Sequence, residues 1–234
     1  MLTTPPRLEQ VAQALLKAGA AVDAVENKQW TALMFAAQGG HDQCARALIK
    51  AGANVNATEE GDCTALLLAC QNGYEGCTHA LIEAKANVAA ATNGGFTALM
   101  LSCQDGHEGC CLELLKAGAA FDATEENGAT SLLLSCQNGH VVCTKLLIDS
   151  QADVDLAMHP DAADDEGGFT PLIAAAKNGH AQCARVMIEA GAAVDAANNE
   201  GMTALLWAGK NGHEPCARIV IEAKVALEKQ TLKN

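Results

Sequence analysis

The feature that most constrains this chain is self-similarity at a fixed spacing. "TALMFAAQGGHDQCARALIKAG", starting at Thr31, returns as "TALLLACQNGYEGCTHALIEAK" at Thr64, 33 residues later. Further copies start at Thr97 and Thr130; the next interval stretches to 40, and copies resume at Thr170 and Thr203. A period of this length marks small supersecondary units that cannot bury their apolar faces alone and must stack on one another. Ahead of Thr31, "VAQALLKAGAAVDA" matches the second half of the unit. The expected organisation is one domain over 1–234. It comprises an N-terminal half-repeat in 1–30, repeats starting at 31, 64, 97, 130, 170 and 203, and an insertion within 156–168.

Each unit reads as a short helix, a Gly-containing turn, a longer helix and a hairpin-like connection. The six threonines stand where a hydroxyl caps the first helical turn, and Pro171 occupies the tolerated position just inside it. Gly19, Gly52, Gly118 and Gly191 suit a left-handed residue at the end of the second helix; Lys85, Gln151 and Lys224 replace them in other units. Aromatic residues make up only 3% of the chain, so the core must come from close-packed Ala, Leu and Cys on helices.

The period, with T-[AP]-L, N-G-H and A-G-A-x-V-x-A, resembles the ankyrin repeat, over residues 7 to about 227. The resemblance implies an all-α repeat solenoid of stacked helix-turn-helix units joined by β-hairpin-like loops, with partners bound on a concave surface. One departure is consistent. The His of the family's T-P-L-H is replaced by Met34, Leu67, Met100, Leu133, Ile173 and Leu206, which removes the Thr to His hydrogen bond and puts local stability in doubt.

Thiol and imidazole density invites a chemical reading, since "CQNGHVVC" at 136–143 has spacings that suit zinc or an activated thiolate. Aligning the units argues for packing instead. Cys136 shares its column with Cys70 and Cys103 but also with Ala37, Ala176 and Gly209, as a small buried position would. Cys143 aligns with Cys44, Cys77, Cys110, Cys183 and Cys216, and the resemblance implies that the turn histidines bond to neighbouring backbone. Cys63 falls in a connection and is the expected exposed thiol. No metal, cofactor or catalytic residue is expected, and no phosphate-loop, dinucleotide or nucleophile-elbow motif is present.

Three ladders are candidate partner contacts. The residue before the capping Thr gives Trp30, Phe96, Phe169 and Met202, the aromatic ones as anchors. The pair before the turn Gly gives Gln38, Gln71, Gln104, Asp105, Gln137, Asn138, Lys177 and Lys210. The connections give Glu59, Glu60, Glu125, Glu126, Asp164, Asp165 and Glu166. With a formal net charge of -13, this acidic edge disfavours nucleic acid and would steer a basic protein partner. As surface positions, the carboxylates should be replaceable at a stability change within about 1 kcal/mol. The inserted piece is expected to show Met158, His159 and Pro160 at a lengthened fingertip. Asn56, in "LIKAGANVN", resembles the hairpin asparagines that asparaginyl hydroxylases modify in the family.

Eleven cysteines, an odd count, and a start without a basic and apolar leader point to a reduced compartment: the cytoplasm, with the nucleus left open. No apolar run is long enough for a membrane span. The expected function is a non-enzymatic, monomeric protein-binding module: an adaptor, scaffold or inhibitor. Two alternatives are a designed or consensus-derived scaffold without a cellular partner and a regulatory segment of a larger enzyme.

Overall fold

The computed structural model describes residues 8–159 and 167–231. After a first helix, α1 (Leu8–Lys17), the helices come in short and longer pairs: α2 (Ala32–Gln38) with α3 (Asp42–Lys50), α4 (Ala65–Gln71) with α5 (Glu75–Glu83), and α6 (Ala98–Gln104) with α7 (Glu108–Lys116). They continue as α8 (Ser131–Asn138) with α9 (Val141–Asp149), α10 (Pro171–Lys177) with α11 (Ala181–Glu189), and α12 (Ala204–Lys210) with α13 (Glu214–Thr231). The chain packs as two compact units. The first runs up to Ser102 and includes Gly109–Ala119; the second comprises Cys103–Glu108 and the chain from Ala120 on.

Each short helix starts where its threonine can serve. The hydroxyls of Thr31, Thr64, Thr97, Thr130, Thr170 and Thr203 accept from the amide three residues on at 3.2 to 3.4 Å. This satisfies one of the donors that a helix start leaves open. The doubt about the missing histidine is partly resolved by sulfur, because Met34 and Met100 accept from the backbone N–H of Thr31 and Thr97 through Sδ at 3.5 Å. A thioether is a weak acceptor, but it closes the capping box from the other side.

The short helices form the interior. In α4 every residue from Ala65 to Cys70 is buried, in α8 every residue from Ser131 to Cys136, and in α10 every residue from Pro171 to Ala176. The longer helices bury one stripe: Cys77, Thr78, Ala80 and Leu81 in α5; Cys143, Thr144 and Leu147 in α9; Cys183, Ala184 and Met187 in α11. That i, i+1, i+4 pattern is the apolar face of an amphipathic helix, and each fully buried Leu contributes about 1.5–3 kcal/mol. One interior atom breaks the pattern. Ser131 Oγ is buried without a hydrogen-bond partner at a position that holds Ala32, Ala65, Ala98, Pro171 and Ala204 in the other repeats. Ser131→Ala should therefore raise stability by about 1 kcal/mol, read by denaturant unfolding, since it removes an uncompensated hydroxyl without leaving a cavity.

The connections are tightened by isolated antiparallel bridges, Val25 to Thr31, Thr58 to Thr64, Ala91 to Thr97, Thr124 to Thr130 and Ala197 to Thr203, rather than by a sheet. Lys85 and Gln151 take the left-handed backbone of the glycines they replace, at φ 65° and 70°. Lys224 does not, because α13 continues through it to Thr231. In the inserted connection Met158 is buried and its N–H donates to Phe169 O at 2.9 Å, while Pro160 lies outside the described residues. Met158 is thus a hairpin residue rather than an exposed fingertip.

Candidate interaction surface

Nine of the eleven thiols are buried in the interior. In the first unit Thr78 Oγ1 stands 3.5 Å from Cys70 Sγ and 3.4 Å from Cys110 Sγ; in the second, Thr144 Oγ1 lies 3.8 Å from Cys136 Sγ and 3.7 Å from Cys183 Sγ. Burial pushes the Cys70 and Cys136 thiols well above their usual range and Cys77 up to about 11. Such thiols stay protonated at neutral pH and are poor nucleophiles. Cys63, the thiol expected to be the most exposed, is with Cys44 one of the two that are not buried; it is half-buried, and burial followed by the charge of Glu59 pushes it up to about 11.

Two of the turn imidazoles tie one turn to the preceding one. His140 Nε2 lies 3.0 Å from Gln104 O and His213 Nε2 3.0 Å from Lys177 O, and a carbonyl can only accept, so Nε2 carries the proton. Repeat alignment could also have revealed an ion network that reading the ladders missed. Arg46 pairs with Glu83 at 3.1 Å across α3 and α5, and His79 Nδ1 with Glu113 at 2.8 Å across α5 and α7. Arg46 and His79 stand one period apart, as do Glu83 and Lys116. Hydrogen bonds from His79 and Lys116 hold the Glu113 carboxyl below its ordinary range.

The aromatic ladder divides by burial. Trp30 is half-buried with its ring 5.0 Å from that of Phe35, which is 52% exposed; Phe96 and Met202 are half-buried. Phe169 is not displayed. It is 2% exposed, covered by the pairing of Met158 with its own carbonyl and by an edge contact to Trp207 at 5.6 Å. Phe35 and Trp207, equivalent positions on α2 and α12, were not singled out by the ladders, although their column is otherwise Leu or Ala.

In the pre-turn rows Gln38, Gln71, Asp105 and Lys210 are exposed, and Gln104, Gln137 and Lys177 are half-buried. Asn138 is exposed, but its amide donates to Leu134 O at 3.0 Å and so closes the end of its own helix.

The acidic ladder requires the largest revision. Glu125 is 5% exposed; its Oε1 accepts from the backbone N–H of Asn127 and of Ala129, each at 2.9 Å. Glu59, half-buried, accepts from Gly61 at 2.8 Å and Cys63 at 3.2 Å. Thr92 and Asn198, in the same column, accept from Phe96 at 3.2 Å and Met202 at 2.8 Å with no charge at all. The position needs an oxygen for the hairpin amides, not a carboxylate facing a partner. Glu60 and Glu126 are exposed as expected, and Asp164, Asp165 and Glu166 lie outside the described residues. A second acceptor column joins successive repeats: Asn56 Oδ1 accepts from Asn87 N at 2.8 Å, Asp122 from Asp153 N at 3.0 Å and Asp155 from Ala193 N at 2.8 Å.

Among the described residues no helix is long and apolar enough to cross a membrane. Capped helix pairs repeated along the chain, with side-chain rows in register, define a helical-repeat protein. The sequence matches the family model for ankyrin repeats (3 copies) over residues 7–92, 86–158 and 156–231, and the chain belongs to that family, whose fold is a general, typically non-catalytic, protein–protein interaction module. It is similar to the crystal structure of the human ASB11 ankyrin repeat domain, with 26% identity over 94% of this chain and 98% of that one and a TM-score of 0.78. The ankyrin repeat domain of Bcl-3, described as a unique member of the IkappaB protein family, shares the fold with 23% identity, 91% of each chain covered and a TM-score of 0.74. No curated protein sequence matches the chain.

Proposed function

We propose that residues 1–234 act as one ankyrin-repeat domain that binds a protein partner on the surface formed by the hairpins and short helices, the concave face expected of the family, as an adaptor, scaffold or inhibitor. The observation that carries this reading is the Trp30 and Phe35 pair, two large rings 5.0 Å apart with Phe35 52% exposed. Exposed aromatic pairs on a rigid scaffold are the usual anchors of an interface. Gln38 and Gln71, exposed in the same unit, are its adaptable polar contacts. Glu60 and Glu126, with Asp164, Asp165 and Glu166, supply a negative field that speeds encounter with a basic region of the partner. The chain works as a monomer in the cytoplasm with its thiols reduced. Asn56, exposed in its turn, is the candidate for asparaginyl hydroxylation, which intact mass on native protein would detect.

The test is affinity capture from the source cell followed by surface kinetics with the partner obtained. Trp30→Ala or Phe35→Ala should raise the off-rate by about 30-fold or more, the equivalent of about 2 kcal/mol. Glu60→Gln with Glu126→Gln should lower the on-rate at low salt only. An off-rate unchanged by both aromatic replacements overturns this choice of surface.

A further inference from the structure

We infer that the open face of α2, which carries Ala32 and Phe35 with the Trp30 ring beside them, seats a short amphipathic helix of a protein partner in the place that a preceding short helix takes in later repeats. The inference rests on the protein-binding reading and deepens it by naming the element, and the residue pattern, that the aromatic pair accepts.

The repeats measure the opening, because each position can be compared with its equivalents. Residues three apart lie on one face of a helix. The residues one and four places after the capping threonine form such a pair: Ala32 and Phe35 in α2, Ala65 and Leu68 in α4, Pro171 and Ala174 in α10, Ala204 and Trp207 in α12. α4 packs against α2, α10 against α8 and α12 against α10. In α4, α10 and α12, each with a short helix ahead of it, the pair is buried; Leu68, Ala174 and Trp207 are 5%, 2% and 7% exposed. In α2, Ala32 is exposed and Phe35 is 52% exposed. Among the described residues the one element ahead of α2 is α1, which packs on the longer helix α3. The layer of longer helices is thus filled there, while the layer of short helices stands open at Ala32 and Phe35.

The last repeat shows what a covering helix presents. The residues three and six places after the threonine are Met34 and Ala37 in α2, Leu133 and Cys136 in α8, and Ile173 and Ala176 in α10, all at most 1% exposed. Each of those helices has a short helix packed after it. In α12, which has none among the described residues, Leu206 is 52% exposed and Gly209 is exposed. This pair is therefore the side that a short helix turns to its successor. Within the chain, the covering pattern is a long apolar residue (Met, Leu or Ile) followed three places on by Ala or Cys.

A partner helix with that pattern continues an interface the chain already uses between its own repeats. The open end also offers more to hold, with two rings 5.0 Å apart where the second repeat has Cys63 and Leu68. The opening admits one helix. A second copy of the chain offering α12 would bring α13, packed against it, into the layer that α1 fills. The occupant is a single helix of another protein, about two turns long to match the seven residues of α2, apolar on one side and polar on the other.

The experiment uses the full chain and a fluorescein-labelled peptide with the sequence from Thr170 to Gly179, which contains α10. A hydrocarbon staple between the positions of Ala174 and Asn178 holds it helical, since so short a helix is marginal in water. Its anisotropy should rise saturably with protein concentration. Ile173→Lys in the peptide should weaken binding about tenfold or more, and so should Ala32→Arg in the chain, which fills the opening from an exposed position and leaves the aromatic pair in place. Leu206→Arg, at the other open short helix, should leave binding unchanged. An absence of saturable binding, binding indifferent to Ala32→Arg, or binding lost with Leu206→Arg overturns the inference. So does binding that appears only after residues 2–6 are deleted, which gives the face to the chain's own leading residues. Self-association abolished by Ala32→Arg overturns it too, by giving the face to a second copy. Once a partner is captured the two readings separate. A complex weakened by Phe35→Ala but not by Ala32→Arg overturns the docked helix and leaves the proposed function standing.

Discussion

Gly179→Ala should lower the unfolding free energy by about 2.5 kcal/mol, whereas Gly191→Ala should cost about 1.5 kcal/mol. Both glycines have left-handed backbone, at φ 79° and 91°, so both substitutions incur the Cβ penalty of that region, about 1–2 kcal/mol. The surroundings decide the rest. A Cβ on Gly191 meets nothing within 4 Å, while on Gly179 it would stand 2.7 Å from His213 Nδ1 and 2.9 Å from Cε1. The imidazole must then move, and the 3.0 Å hydrogen bond from Nε2 to Lys177 O goes with it, a further loss of about 0.5–1.5 kcal/mol. Lys85 and Gln151, which sit at positive φ in this chain, show that the backbone cost alone is tolerated. Parallel denaturant melts check the difference, and equal losses at the two sites would remove the histidine contact from the account.

Glu125→Ala should cost about 2–3 kcal/mol, the range of hydrogen bonds to a charged acceptor, while the neighbouring Glu126→Ala stays within about 0.5 kcal/mol. Adjacent carboxylates in one acidic run thus differ because of where they point. Glu126 is in solvent; Glu125 is 5% exposed and satisfies the amides of Asn127 and Ala129, which alanine would leave unpaired inside the hairpin. Glu125→Gln keeps an acceptor oxygen and should recover part of the loss. Thermal unfolding of the three variants tests this, and a Glu125→Ala protein as stable as Glu126→Ala would return Glu125 to the solvated edge. Neutralising the whole acidic edge is therefore not a clean test of electrostatic steering. Glu60 and Glu126 serve that purpose, and Glu59 and Glu125 do not.

The repeated fold was legible because its determinants are local and recur in register: a threonine at each helix start, a glycine at each turn, an apolar stripe on each longer helix. The surface was less legible because the same residue type serves two roles. Nothing within the run Glu125–Glu126 says which carboxylate turns inward. The clue lay across repeats, where Glu26, Glu59, Thr92, Glu125 and Asn198 share an oxygen acceptor and little else. Phe169 was misread for a different reason. Its column is half-buried at Trp30, Phe96 and Met202, but there the lengthened connection folds back to place Met158 against it and α12 brings Trp207 to its edge. Both contacts come from parts of the chain that vary between repeats, so the column average gives no warning. Lys224 failed similarly: a C-terminal stop in other units is continued here by the polar helix that follows.

The oxygens of Asn56, Asp122 and Asp155 carry a consequence for how the molecule breathes. Each shelters an amide in the next repeat, 31 to 38 residues further along, so the hydrogen that exchanges at Asn87, Asp153 or Ala193 is guarded by a loop to which it does not belong. A loop that opens alone uncovers its successor's amide as well as its own. Within each unit, successive fingertips therefore open as linked neighbours rather than independently, and a disturbance at one is felt one repeat downstream before any helix has melted.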